Sequence, residues 1–304
     1  MPINLSENNF ESLFDFWLNQ IKISIPKYSY NNYSSIIKNH LIPSLGNKKI
    51  AEINDSDIEV YIFEKLESGL SKDTLKKHYQ ILKQVLDQAV FLNLIKYNPA
   101  KFAHLPKTQK ERKKQLTKKE IQKLLNVAKD YDEWIHNFIV ITLSLGMRRN
   151  ESLGLSWNDI DFENKIIHIR QKLNYIPGKD ITTKSLPNSS QRKITMSNKV
   201  IKTLKHMKNK QLSLEYLLKS KYNNKYNLVF CKDNGDIYHP NAVTRKFYQI
   251  VSIASLSSEI TIHTLRKTYA ALLLKNNVNM KTILDKLGVS NIDKSFIKTL
   301  VERS

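Results

Sequence analysis

The sequence predicts a mainly α-helical protein with a small antiparallel sheet, an α+β chain made of a four-helix N-terminal domain and a larger C-terminal domain. Three observations predict it. Apolar residues recur at helical spacing through the first hundred positions. Short strand-like segments gather between residues 165 and 230, and helical spacing resumes from about Pro240. A basic stretch over 100–115 marks the boundary between the two parts.

In the first domain, 1–99, Phe10, Leu13, Phe14, Trp17 and Ile21 form the apolar stripe of a first helix. A second helix is expected over 29–41, stopping near Pro43 with Gly46 in the turn. Asn54 or Asp55 caps a third, which carries Ile58, Tyr61, Ile62 and Leu66 and ends near Gly69. Ser71 caps a long fourth with Leu75, Tyr79, Leu82, Leu86, Ala89 and Val90 inward, and Asn98-Pro99 closes it. Four helices with short connections make a small bundle.

The stretch 100–115 holds six basic residues, Lys101, Lys107, Lys110, Arg112, Lys113 and Lys114, against one acid, Glu111. It is either a solvated hinge or a strap lying along phosphates, and the strap is favoured in so basic a chain. The second domain, 116–304, opens on a capping box, Thr117 with Glu120, followed by Leu116, Ile121, Leu124 and Leu125 as its apolar positions. An apolar helix is expected over 134–145, strands over 165–170, 192–196 and 227–230, and helices over 240–251 and 265–275.

Charge narrows the function. Forty-nine Lys and Arg against 28 Asp and Glu leave a net +21, a surplus that repels itself unless anions bind. Nucleic acid is the commonest such partner, because each phosphate neutralised releases counterions. The single cysteine, Cys231, allows no internal disulfide and no cysteine-based zinc site, which suits a reducing cytoplasm. The first nine residues lack a signal-peptide pattern, and no apolar run reaches membrane-span length. Seven glycines and no P-loop or Rossmann pattern argue against nucleotide-driven chemistry; no cofactor and no metal are expected.

Three basic sites stand out. In Gly146-Met147-Arg148-Arg149-Asn150-Glu151, Arg148 opens a helix and Glu151, three residues on, shares its face and holds its orientation. Lys184, in Thr183-Lys184-Ser185 and followed by Ser190-Gln191-Arg192, sits on a hairpin from which it can donate a proton. His263 and Arg266 project from one face of a helix that starts there. Alone, each has an ordinary explanation: a surface ion pair, a lysine facing water, a capping histidine beside a surface arginine. Together, two arginines, a lysine and a histidine around one phosphate would neutralise a pentacoordinate transition state and protonate the departing 5′ oxygen.

That order of residues, with Leu287-Gly288 after it, resembles the catalytic domain of tyrosine recombinases, the phage integrase family. Leu153-Gly154-Leu155-Ser156-Trp157-Asn158-Asp159-Ile160-Asp161 is also typical after the first arginine. In the first domain, His40-Leu41-Ile42-Pro43-Ser44-Leu45-Gly46 and Ile95-Lys96-Tyr97-Asn98-Pro99-Ala100 are similar to the core-binding domain of integrases from phages and mobile elements of low-GC bacteria. The resemblance runs from about residue 8 to about 292 and shows no arm-binding domain ahead of it. It implies that Arg148 and Arg266 clamp the scissile phosphate, that Lys184 is the general acid and that His263 assists. It further implies a C-shaped clamp on double-stranded attachment-site DNA, with a homo-oligomer, a tetramer if competent, acting in the bacterial cytoplasm through a 3′-phosphotyrosyl intermediate.

Two positions depart from the family pattern. Where His or Trp usually follows Leu-Gly stands Val289, which offers the phosphate no hydrogen bond. The nucleophile belongs near Thr299 or Phe296, and no tyrosine follows Tyr269, itself expected to be a core aromatic. The expectation is therefore a DNA integration protein whose catalytic domain is truncated or altered at its C-terminus, by truncation, frameshift or decay. It either does not cleave or is an active recombinase with a nucleophile that the family pattern does not reveal. The alternative is a non-catalytic DNA-binding remnant or regulator that competes with an intact integrase. A type IB topoisomerase uses similar residues, but the core-binding domain argues against it.

Overall fold

Asn9 opens the first helix by accepting the Ser12 amide hydrogen at 2.9 Å, satisfying a donor that a helix start leaves open. The helix α1 (Phe10–Ile21) buries Phe10, Leu13, Phe14, Trp17 and Leu18. This computed structural model describes residues 9–104 and 115–289, and the chain divides into two compact units, Met1–Lys110 and Glu111–Ser304. The basic residues Lys107, Lys110, Arg112, Lys113 and Lys114 lie outside the described residues.

After α2 (Lys27–Ile36) the chain does not stop at Pro43, contrary to expectation. A wide turn, Ile37–Leu41, leads without a break into α3 (Ile42–Leu45). Proline lacks an N–H and its ring crowds the preceding turn. Here the Ile42 amide bonds back five residues to Ile37, and that wide turn opens the ladder just ahead of the ring. Asn54 caps α4 (Asp55–Glu67), with Asp57 returning the bond, and Ser71 caps α5 (Lys72–Phe91). The inward face of α5 is Leu75, His78, Ile81, Leu82, Val85, Leu86 and Ala89; Tyr79 and Val90 sit half-buried at its edge. Ala100 and Ala103 complete this core.

His78 is a polar residue in the middle of that core. It is fully buried, shares a 2.7 Å hydrogen bond between its Nδ1 and the Tyr61 hydroxyl and lies with its ring centre 4.9 Å from that of His40, while its Nε2 has no hydrogen-bond partner among the described residues. Burial first, then the neighbouring His40 and Lys65 charges, pushes the imidazole down to about 4. The folded unit therefore holds His78 neutral at a pH where the unfolded chain would take up a proton. Its contribution is complete above the ordinary histidine range and is lost as pH falls toward the folded value. At about pH 5 this costs about 2 kcal/mol. Hydrogen exchange of the α5 amides, corrected for intrinsic rates, should show this loss, and His78→Leu should flatten it. An unchanged acid loss in that variant would contradict the assignment.

The second unit starts with α6 (Lys118–Tyr131), held by the Thr117–Glu120 capping box. The apolar α7 (Glu133–Leu145) buries Ile135, Phe138, Ile139, Ile141 and Leu145. It is followed by α8 (Arg149–Leu153) and two antiparallel sheets. One sheet orders β1 (Ile160–Asp161), β2 (Ile166–Ile169) and β5 (Arg192–Thr195); the other is a hairpin of β3 (Gln171–Asn174) and β4 (Thr182–Ser185). The break after β2 falls at Arg170, whose guanidinium turns aside to pair with Asp159.

Two features of this unit were not foreseen. Residues 227–230 form no strand; Leu228 makes a single bridge to Ser156, and its apolar run is apolar because Leu228, Val229 and Phe230 are fully buried. The long α9 (Asn198–Leu218) hides its apolar stripe, Val200, Leu204 and Met207, among lysines. The unit closes with α10 (Pro240–Ile253), α11 (Ile262–Lys275) and α12 (Met280–Leu287). Among the described residues no helix is long and apolar enough to cross a membrane, and no cluster of three or more His, Cys, Asp or Glu could hold a metal ion.

Candidate functional site

The site begins where α7 ends. Gly146 takes a left-handed conformation, φ +61°, and a Cβ there would stand 2.2 Å from Cδ1 of Tyr269. Only glycine allows both the turn and that ring contact. The reversal buries Met147 and sets Arg148 at the N-cap of α8. Glu151 then grips Arg148 twice: Oε2 accepts its backbone N–H at 2.9 Å and Oε1 accepts Nη1 at 2.7 Å. Arg148 keeps 43% of its side chain exposed, so its outer face is open.

Two further arginines lie beneath it. Arg266, from α11, is 3% exposed and donates to the Gly146 carbonyl at 2.8 Å and to the Leu287 carbonyl at 2.5 Å. Arg192, from β5, has a side chain 4% exposed; it donates to Glu151 Oε2 at 2.8 Å and to the Lys286 carbonyl at 2.7 Å. Arg148 Nη2 reaches the Gly288 carbonyl at 3.3 Å. The consecutive carbonyls of Lys286, Leu287 and Gly288 thus each accept from a different arginine. Carbonyls at a helix C-terminus lack intrahelical partners and carry the negative end of the helix dipole, which suits them to this. Gly288, φ +60°, ends α12, and Val289 N–H bonds back to the Leu284 carbonyl at 3.2 Å.

The charges do not cancel. Three guanidinium groups surround one carboxylate, Glu151. Burial pushes that carboxyl up, but the hydrogen bond and charge of Arg192, then the bonds from Arg148, outweigh it and hold it below the usual range. Burial, with the repulsion of Arg148 and Arg192, brings Arg266 down to about 9, opposed by Glu151. Such an arrangement favours an added anion, and the open side of Arg148 is where one can reach it.

Arg148, Glu151 and Arg266 are thus brought together. Lys184 stands exposed on β4, opposite Lys172 of β3. That hairpin is fixed to α8: Gln171 donates to the Gly154 carbonyl at 2.8 Å, and a Cβ on Gly154 would meet the Leu173 amide nitrogen at 2.4 Å. Lys184 itself is not among the residues bonded into the cluster. His263 is exposed in the first turn of α11, three residues before Arg266. Val289 is half-buried and packs with Tyr269, Ala270, Ile283 and Leu287. Tyr269 is a buried core aromatic on Gly146. Thr299 and Phe296 lie outside the described residues.

Arg192 was missed as a site residue. Its signal was present: in β5 it shares the inward phase of Ile194, and an arginine in phase with the core needs a buried partner.

Comparisons with known proteins agree with this architecture. The profile of the phage integrase family matches residues 114–296, and that of the phage integrase N-terminal SAM-like domain matches 9–66. The ICEBs1 integrase of Bacillus subtilis (strain 168) is 24% identical, over 93% of this chain and 76% of its own length. Tyrosine recombinase XerC of the same organism is 26% identical, over 97% of this chain and 92% of its own. Among solved structures, the Tn1549 transposon integrase in complex with a circular intermediate DNA superposes with a TM-score of 0.83 at 22% identity, covering 94% of this chain and 93% of that one.

Proposed function

Because this chain belongs to the phage integrase family, we propose that it is a site-specific DNA recombination protein of a phage or mobile element that grips a backbone phosphate of its attachment site without cutting it. The observation that carries this reading is the cluster itself: Arg148 open to solvent above a buried Arg266, with three guanidinium groups to one carboxylate. In this reading Arg148 and Arg266 clamp the phosphate, Lys184 takes the role of general acid and His263 assists it. Residues 1–99 serve as the core-binding domain, 100–115 as a basic strap and 116–304 as the catalytic domain. The chain assembles as a homo-oligomer on double-stranded DNA in the bacterial cytoplasm, and a tetramer would be the competent form.

The loss of cleavage rests on the sequence between 290 and 299, where the nucleophile belongs and where no tyrosine stands. Thr299 is a poor substitute, because its hydroxyl is far less acidic than a phenol with a pKa of about 10. A protein that holds such a site without cutting it would compete there with an intact integrase.

Binding tests the clamp. Removing a charge-assisted hydrogen bond costs about 1.5–3 kcal/mol, so Arg148→Ala or Arg266→Ala should weaken binding roughly 10- to 100-fold. Lys184→Ala should change it by less than about twofold, since a general acid acts in the cleavage step. Fluorescence anisotropy over a salt series measures both, and wild-type affinity should fall steeply with salt. Equal losses from Lys184→Ala and Arg266→Ala, or a flat salt response, would count against the reading.

A further inference from the structure

Arg192 has no place in the proposed clamp, yet it is bonded at both ends to the parts that shape it. Its Nη2 holds Glu151 Oε2, and Glu151 in turn holds the Nη1 and backbone N–H of Arg148. Its Nε holds the Lys286 carbonyl, one residue before the carbonyl that takes Arg266 and two before the one that takes Arg148. The side chain runs beneath Gly288, where a Cβ would come within 3.1 Å of its Cδ and Nη1. Nη1 also lies 3.4 Å from the Ser190 carbonyl. One planar fork, carried on β5, therefore touches the turn before that strand, α8 and the end of α12 at once.

We propose that Arg192 is a positioning residue: it clips Glu151 to the end of α12 and so fixes the direction in which Arg148 presents its open donors. Charge alone does not do this. A lysine would supply the same charge on a single flexible nitrogen, whereas the guanidinium holds two acceptors at a set angle. Because three consecutive carbonyls hold the three arginines, a shift at the end of α12 moves all of them together. The same residue that balances Glu151 therefore aligns the phosphate site. Its consequence for DNA rests on the clamp reading; the alignment of Arg148 in the free protein does not.

Nitrogen-15 NMR of arginine side chains in the full chain tests it. In wild type, Arg148 should show two distinct Nη signals, because its bonds to Glu151 and Gly288 block rotation of the guanidinium. In Arg192→Gln and in Arg192→Lys those signals should merge while the fold persists by circular dichroism. Retention of separate Arg148 signals in folded Arg192→Gln would overturn the proposal. So would their restoration in Arg192→Lys, which would mean that charge suffices. Loss of folding in both variants would assign Arg192 to stability alone and overturn it as well. On a fluorescein-labelled mixed-sequence duplex, Arg192→Gln should lower the salt slope of binding by about one, as one phosphate contact is lost. A flat wild-type slope would sink the DNA reading while the NMR comparison still decides this one.

Discussion

Glu151→Ala is expected to destabilise the second unit by about 3–5 kcal/mol, the usual cost of removing one partner from a buried ion pair. Glu151 is 1% exposed, and its two oxygens take three bonds, from Arg148 Nη1, the Arg148 amide and Arg192 Nη2. Without it, the nearly buried guanidinium of Arg192 keeps its charge with no carboxylate beside it, close to Arg266. For a unit of this size the loss corresponds to a fall in Tm of roughly 10 °C. Calorimetry measures it, and a loss below about 1 kcal/mol would show that the pair contributes little. Acid acts in the same direction. The Glu151 carboxyl is held below its ordinary value, so its stabilisation is present above the usual glutamate range and is lost as pH falls through the folded value.

The helical bundle was legible because its stripes are long and its caps are specific: Asn54 and Ser71 stand where a side-chain oxygen closes a helix start, as Thr117 does at the start of the second unit. Pro43 misled, because a proline signals a stop only if the preceding turn is α-helical, and here that turn is wide. The run at 227–230 misled because a buried segment and a strand have the same apolar content. α9 was hidden because three apolar positions among lysines make a weak stripe.

In the site, Arg148, Glu151 and Arg266 could be read from spacing, since local order places them at helix starts. The acceptors could not. The carbonyls of Lys286, Leu287 and Gly288 are backbone atoms, and no side-chain pattern announces which guanidinium they will hold. Gly146 and Tyr269 show the same limit: both were read locally, one as part of a motif and one as a core aromatic. Their contact, which demands a residue without a Cβ at 146, appears only when α7 and α11 meet.

The second large effect concerns cleavage. A family member with a phenol nucleophile forms a covalent 3′-phosphotyrosyl link that a nicked substrate traps. With no tyrosine between 290 and 299, this chain should form none, while the proposed clamp of Arg148 and Arg266 should still bind the duplex. The measurement is incubation of the protein with a nicked suicide duplex of its own attachment site, followed by denaturing and native gels in parallel. The account predicts a retained complex on the native gel and no protein–DNA adduct on the denaturing gel. An adduct that survives denaturation would contradict it and would require a nucleophile other than a tyrosine in that segment.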